Sequence, residues 1–254
     1  MCRLLSIYGK IDEWREIVMA FSRQAETGNV PPVLPKGAGH RDGWGMAIAN
    51  GRQTAMVALI RQMGSAYGSA CFREAVHALP QQPGILLCHL RQASENIPVT
   101  PSNTHPFVHN GWGLIHNGTV YQAQDLPRDP QLVFTSDDSD TEHLFHYLLT
   151  KINKRPPAKT LTATIAEAVA SLELDYTALN LMLSDGRDLF VIRNFKTYPE
   201  YYTLYYYALD DGFIICSEPV ELDCLIPDQW TSIANGSLLK FHGSPPQVEE
   251  NLLR

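Results

Sequence analysis

Apolar positions along the chain fall into two textures, one for strands and one for helices. Arg3-Leu4-Leu5-Ser6-Ile7-Tyr8 is a short apolar run ended by Gly9, which predicts a buried strand. Between Glu13 and Arg23, Trp14, Ile17, Val18 and Phe21 recur at helical spacing and share one face. Thr27 to Gly43 is rich in Gly and Pro and predicts a loop. Gly45–Ala49 and Thr54–Ile60 then predict two strands joined through Asn50-Gly51, a dipeptide that tolerates the positive φ of a tight hairpin. Ala66–Leu79 predicts a helix stopped by Pro80, and Ile85–Arg91 an apolar strand that ends on a charge. Gln92–His105, with Pro98 and Pro101, predicts irregular backbone, and Trp112–His116 a strand running into Asn117-Gly118.

Ser139-Asp140-Thr141-Glu142 has capping-box spacing and predicts a helix to about Ile152, followed by another over Leu161–Leu172. Beyond Asp175 the pattern turns to strands. Asn180–Leu183 pairs with Asp188–Arg193 through Asp185-Gly186, Tyr205–Leu209 with Phe213–Cys216 through Asp211-Gly212, and Ser237–Phe241 closes the series. Many hairpins with helices in groups predict an α+β fold of layered antiparallel sheets, and residues 1–254 read as a single domain.

Composition narrows this picture. A net charge of -7 disfavours nucleic acid and anionic membrane as partners. No apolar stretch has the length of a membrane span, and the first residues lack the layout of a signal peptide. The five cysteines are scattered without a C-x-x-C pair, which fits a reducing cytoplasm rather than a disulfide framework or a zinc site. No glycine-rich nucleotide motif follows a strand, and the nine histidines form no H-x-x-x-H or H-E-x-x-H on a predicted helix. Neither a cofactor nor a metal is expected.

The chemistry starts at Met1-Cys2. Methionine aminopeptidase removes Met1 when the next side chain is small, which would leave Cys2 with a thiol and a free α-amine. Such an amine titrates at about 7.7–8.0 and can serve as a base near neutrality. Arg91, at a strand end, can hold a carboxylate through paired hydrogen bonds or simply reach solvent. Asn117-Gly118 is either a turn or an oxyanion hole built from an amide and a backbone N–H. Asp140, in the first turn of its helix, either answers the helix dipole or pairs with a substrate ammonium, with Asp137, Asp138 and Glu142 adding negative potential. His40-Arg41-Asp42-Gly43-Trp44-Gly45 is a tight turn or a pocket wall. The tyrosines between 198 and 207 read chiefly as packing.

Taken in order, these pieces resemble the class II glutamine amidotransferases, whose glutaminase domains are N-terminal nucleophile hydrolases. The matching segments are Cys2, His89 to Ser94, Asn103-Thr104-His105-Pro106-Phe107, His116-Asn117-Gly118, Ser139 to Glu142 and Cys216-Ser217-Glu218-Pro219. The resemblance implies a four-layer αββα sandwich of two antiparallel sheets. It also implies an enzyme in which Cys2 attacks the side-chain amide of glutamine or another γ-glutamyl amide, forms a thioester and releases ammonia or an amine.

Under the same resemblance Asn117 and Gly118 hold the oxyanion, Arg91 takes the α-carboxylate and Asp140 the α-ammonium. His105 and Ser94 shape the pocket. Gln92-Ala93-Ser94 departs from the aromatic-Ala-Thr of the larger amidotransferases. The 40–45 segment is similar to a short, stand-alone branch. Either a partner protein accepts the ammonia, or the substrate is an amide whose product needs no channel. The alternative is a catalytically silent subunit that binds a ligand or a protein.

Overall fold

The computed structural model describes residues 2–35, 37–50, 54–94, 97–136 and 139–253, leaving out the side chain of Leu59. Two antiparallel sheets face one another. The first contains β1 (Arg3–Gly9), β2 (Gly43–Ala49), β3 (Val57–Met63), β4 (Gly84–Arg91), β9 (Tyr205–Leu209), β10 (Gly212–Cys216) and β11 (Thr231–Ser232), in the order β11-β9-β10-β1-β4-β2-β3. The second contains β5 (Phe107–His109), β6 (Trp112–Asn117), β7 (Asn180–Ser184), β8 (Leu189–Arg193), β12 (Ser237–His242) and β13 (Gln247–Leu252), in the order β13-β12-β8-β7-β6-β5.

The outer face of the first sheet is covered by α1 (Trp14–Phe21), α2 (Gln24–Thr27) and α3 (Ala70–Ala78). Trp14, Ile17, Val18 and Phe21 supply the apolar face predicted for the first helix, packed with Trp44 and Phe72. The outer face of the second is covered by α4 (Asp140–Asn153) and α5 (Leu161–Ala170), through Leu144, Leu148 and Ile165. Between the sheets, alternate residues of both meet: Leu4, Leu87 and Ile215 from one side, Ile115, Met182 and Val191 from the other. Helix, sheet, sheet, helix: this is the expected four-layer αββα arrangement.

Local chemistry explains most boundaries. Ser69 and Thr160 cap α3 and α5 by accepting the N–H groups of Phe72 and Ala163. The helix expected over Ala66–Leu79 therefore begins only after Ser69. The helix expected over Glu13–Arg23 is α1, which stops at Phe21, and the short α2 follows just beyond the expected span. The capping box at Ser139 does not close, because the Ser139 side chain makes no cap bond. Glu142 turns away and accepts the N–H and hydroxyl of Thr135 at 2.8 and 2.9 Å, and both donors of Ser136. Four donors from one turn outbid the single N–H at Ser139.

Ser237–Phe241 does not end the series of strands, since β13 follows and pairs with β12. Its pattern of exposed Gln247, Glu249 and Glu250 suits a solvated edge strand and conceals it from an apolar scan. The short β5 was missed for its length. Gly51 of the hairpin dipeptide, and with it the turn, lies outside the described residues, as do Met1, Asp137 and Asp138. No helix among the described residues is long and apolar enough to cross a membrane.

Candidate active site

Three features of the fold bring distant residues to one end of the sandwich. β1 lies between β4 and β10, so the first residues of the chain sit in the middle of a sheet. Register pairs Arg3 with Leu90, placing Cys2 beside the end of β4 that carries Arg91. In the opposing sheet β6 runs out at Asn117, and α4 starts at Asp140 nearby. A cavity of about 30 Å3 forms there, lined by Cys2, His89, Arg91, Ser94, Asn103, His105, Gly118 and Asp140 among others. That is room for one or two waters. All the candidate residues except Asn117 line it, and Asn117 stands against Cys2 itself.

The Asn117 side chain is fully buried. Its Oδ1 accepts from the Cys2 N–H at 2.8 Å and from the Tyr201 hydroxyl at 3.4 Å. Two donors on one atom fix the amide orientation and leave Nδ2 as a buried donor with no partner. Gly118 is held to its residue type by space. A Cβ there would stand 1.9 Å from the Ala178 carbonyl oxygen and 2.6 Å from Nε2 of His116. The dipeptide is thus a close backbone approach as well as a strand end.

Burial by itself would raise the pKa of the Cys2 thiol. The positive charge of the chain's N-terminus and the His89 imidazole overcome it and bring the thiol down from 9.0 to about 5. The Gln92 carbonyl, 3.7 Å from Sγ, contributes a weaker hydrogen bond. His89 stacks at 4.2 Å on His105. His105 is pushed well below the usual imidazole range, by burial first and by the neighbouring His89, His116 and Arg91 charges after it. A neutral ring fits its contact, in which Nδ1 faces the His116 N–H at 3.4 Å.

Arg91 is buried, and burial lowers its pKa while the Cys2 and Asp42 charges hold it up. Its Nη2 donates to the Pro98 carbonyl at 3.1 Å, and its Nη1 has no partner. Asp140 presents its carboxylate to the cavity with each oxygen already engaged: Oδ2 accepts from the Val120 N–H at 2.8 Å and Oδ1 from the Thr141 N–H at 2.8 Å. Ser94 lines the cavity beside Gln92.

Tyr201 and Arg3 support the site in roles that sequence reasoning did not reach, and Arg3 meets the 40–45 and 216–219 segments that such reasoning did mark. Tyr201, assigned to packing, donates to the Cys2 carbonyl at 3.3 Å as well as to Asn117, and the Arg3 guanidinium covers its ring at 4.6 Å. Arg3, fully buried, donates from Nε to His40 at 3.2 Å and pairs with Glu218 at 3.4 Å. Ser217 exchanges hydrogen bonds with Leu4. The late Cys216 to Pro219 segment is therefore a clamp on the start of β1.

The 40–45 segment supports the site from behind. Asp42 accepts the Ala93 N–H at 2.7 Å, and Trp44 packs in the outer core against Phe72. A larger hollow of about 380 Å3 opens at the far end of β1, around Tyr8, Lys10 and Arg187. There the Tyr8 hydroxyl is already within 3.2 Å of the Arg187 carbonyl. Among the described residues no group of three or more His, Cys, Asp or Glu side chains is placed to hold a metal ion.

A sandwich of this kind, with a cysteine at the head of a central strand and an Asn-Gly pair facing it, defines an N-terminal-nucleophile type of fold. The chain belongs to the class II glutamine amidotransferases, whose family pattern matches residues 1–209. It is similar, at 28% identity over 80% of its length, to an uncharacterised protein of Methanocaldococcus jannaschii, and spans 61% of that protein. Its fold is similar to that of a glutamine aminotransferase class-II domain protein from Silicibacter pomeroyi, with a TM-score of 0.64, 19% identity and 99% of each chain covered. It is also similar to glutamine phosphoribosylpyrophosphate amidotransferase from B. subtilis, with a TM-score of 0.61 and 17% identity, covering 99% of this chain and 50% of that one.

Proposed function

We propose that the protein hydrolyses the side-chain amide of glutamine or of a related γ-glutamyl amide through a thioester on Cys2. The observation that carries this reading is the Asn117 amide, whose Oδ1 is tied to the Cys2 N–H while Nδ2 is left as a buried, uncommitted donor next to a thiol of lowered pKa. A buried donor without a partner is costly, by roughly 1–3 kcal/mol. An oxyanion forming on the attacked carbon would satisfy it.

In this mechanism Met1 is removed and the α-amine of Cys2 takes the thiol proton. The sulfur adds to the amide carbon, and the oxyanion rests between Asn117 Nδ2 and the Gly118 N–H. The amine returns its proton to the leaving nitrogen, so that ammonia or an amine departs and a γ-glutamyl thioester remains. Water, deprotonated by the same amine, then releases glutamate. Arg91 Nη1 takes the α-carboxylate, and Asp140 supplies the opposite charge for the α-ammonium. His105 and Ser94 shape the wall. Residues 1–254 act as one domain, in the cytoplasm, and the ammonia passes to water or to a partner protein.

Cys2→Ala is expected to reduce glutamate release from glutamine and γ-glutamyl amides to background. Unchanged turnover in that variant would end the proposal. Intact mass separates the second reading, a silent binding subunit: retention of Met1 on the purified protein favours it, because the blocked amine cannot act as the base.

A further inference from the structure

The proposed reading gives the α-ammonium of the substrate to Asp140, yet both Asp140 oxygens already accept backbone N–H groups. Buried polar groups rarely go without partners, so the unpartnered ones around a cavity describe what it receives. On the cavity wall, Arg91 Nη1 is an unpartnered donor and Asn103 Oδ1 an unpartnered acceptor. Asn103 is only 2% exposed. Its amide orientation is set, because Nδ2 donates to the Pro98 carbonyl at 3.2 Å and the flipped amide would bring oxygen against oxygen. Oδ1 is therefore an acceptor with both lone pairs free.

Arg91 and Asn103 are also neighbours. Both donate to the same Pro98 carbonyl, Arg91 from Nη2 at 3.1 Å and Asn103 from Nδ2. In an α-amino acid the carboxylate and the ammonium are borne by one carbon, so the groups that read them must be adjacent. An arginine with a free Nη1 and an asparagine with a free Oδ1, bracketing one carbonyl, meet that requirement. Asp140, on the opposing layer, contributes charge from the other side.

We infer that Asn103 reads the α-ammonium of the substrate, accepting a hydrogen bond at Oδ1 while Arg91 holds the adjacent carboxylate. This rests on the proposed γ-glutamyl amide hydrolysis and makes the enzyme selective for substrates with a free α-amino group.

The test compares glutamine with glutaramate, which has the same amide and carboxylate but no α-amino group. In wild type, kcat/KM favours glutamine. In Asn103→Ala the preference is expected to fall by roughly 10- to 100-fold through KM for glutamine, with glutaramate turnover little changed. Asn103→Leu keeps the approximate volume and offers no acceptor, so it is expected to lose the preference in the same way. That variant also decides the matter should Asn103→Ala fail to fold. Equal losses on both substrates in both variants, or a preference unmoved in Asn103→Ala, would overturn the inference and leave the Cys2 chemistry standing. A wild type that turns over neither substrate would instead sink the functional reading, and this inference with it.

Discussion

Cys2 and the pair Cys88 and Cys216 are the same residue in the same sheet under nearly the same burial, and they behave oppositely. Cys88 and Cys216 lie on either side of Leu5 in the register and are completely enclosed by apolar neighbours. Burial drives both thiols up, and the backbone hydrogen bonds near them are too weak to reverse it. Cys2 is 7% exposed, is likewise pushed up by desolvation, and yet comes down to about 5. What differs is the company at the strand end: an amino-terminal charge and a histidine imidazole replace leucine and isoleucine. A buried thiol is therefore held protonated by default, and the lowered pKa of Cys2 follows from where its strand stops.

That contrast can be broken in several ways. Replacing Asn117 with Ala removes the proposed oxyanion donor, and kcat is expected to fall by about 100- to 1,000-fold with a smaller change in KM. A loss confined to KM would assign Asn117 to binding alone. The pH dependence of alkylation sharpens the comparison. In a protein with the exposed Cys71 and Cys224 changed to Ser, iodoacetamide should label Cys2 and spare Cys88 and Cys216. Because the folded pKa is depressed, the thiolate is present above about 5 and is lost as the pH falls through that value. His89→Asn should move this midpoint upward by about one pH unit. An unmoved midpoint would credit the N-terminus alone. The smallest effect belongs to the control: Cys88→Ala should cost about 1 kcal/mol in urea unfolding and leave turnover within about twofold.

Much of the architecture was legible because its signals are local. Trp14, Ile17 and Phe21 show their period within one helix, and Asp185-Gly186 marks its own turn. Five of the candidate positions that the fold brings together were marked in another way, by short motifs around Cys2, Arg91, Asn117, Gly118 and Asp140. The residues that complete the site send no such signal. The hydrogen bond from Tyr201 to Asn117 spans 84 positions, and nothing near Tyr201 distinguishes it from the packing tyrosines around it. Asn103 heads a motif the sequence did show, but its part in the cavity is visible only in what it fails to bond. Glu142 fits a capping box by spacing and was captured by Thr135 and Ser136, a competition that spacing cannot express.

The position of β1 has a consequence in time. Its partners are β4 and β10, and β10 is made some two hundred residues after it. Until then one edge of β1 lacks its neighbour and the Ser217 clamp on Leu4 does not exist. The Cys2 nitrogen, once bonded to Asn117, is enclosed within the sandwich. The proposed chemistry therefore requires Met1 to be trimmed before Asn117 and β10 close around that nitrogen. Under that proposal topology sets the order of trimming and folding: the start of β1 is trimmed while exposed and is closed later by β10 and Ser217.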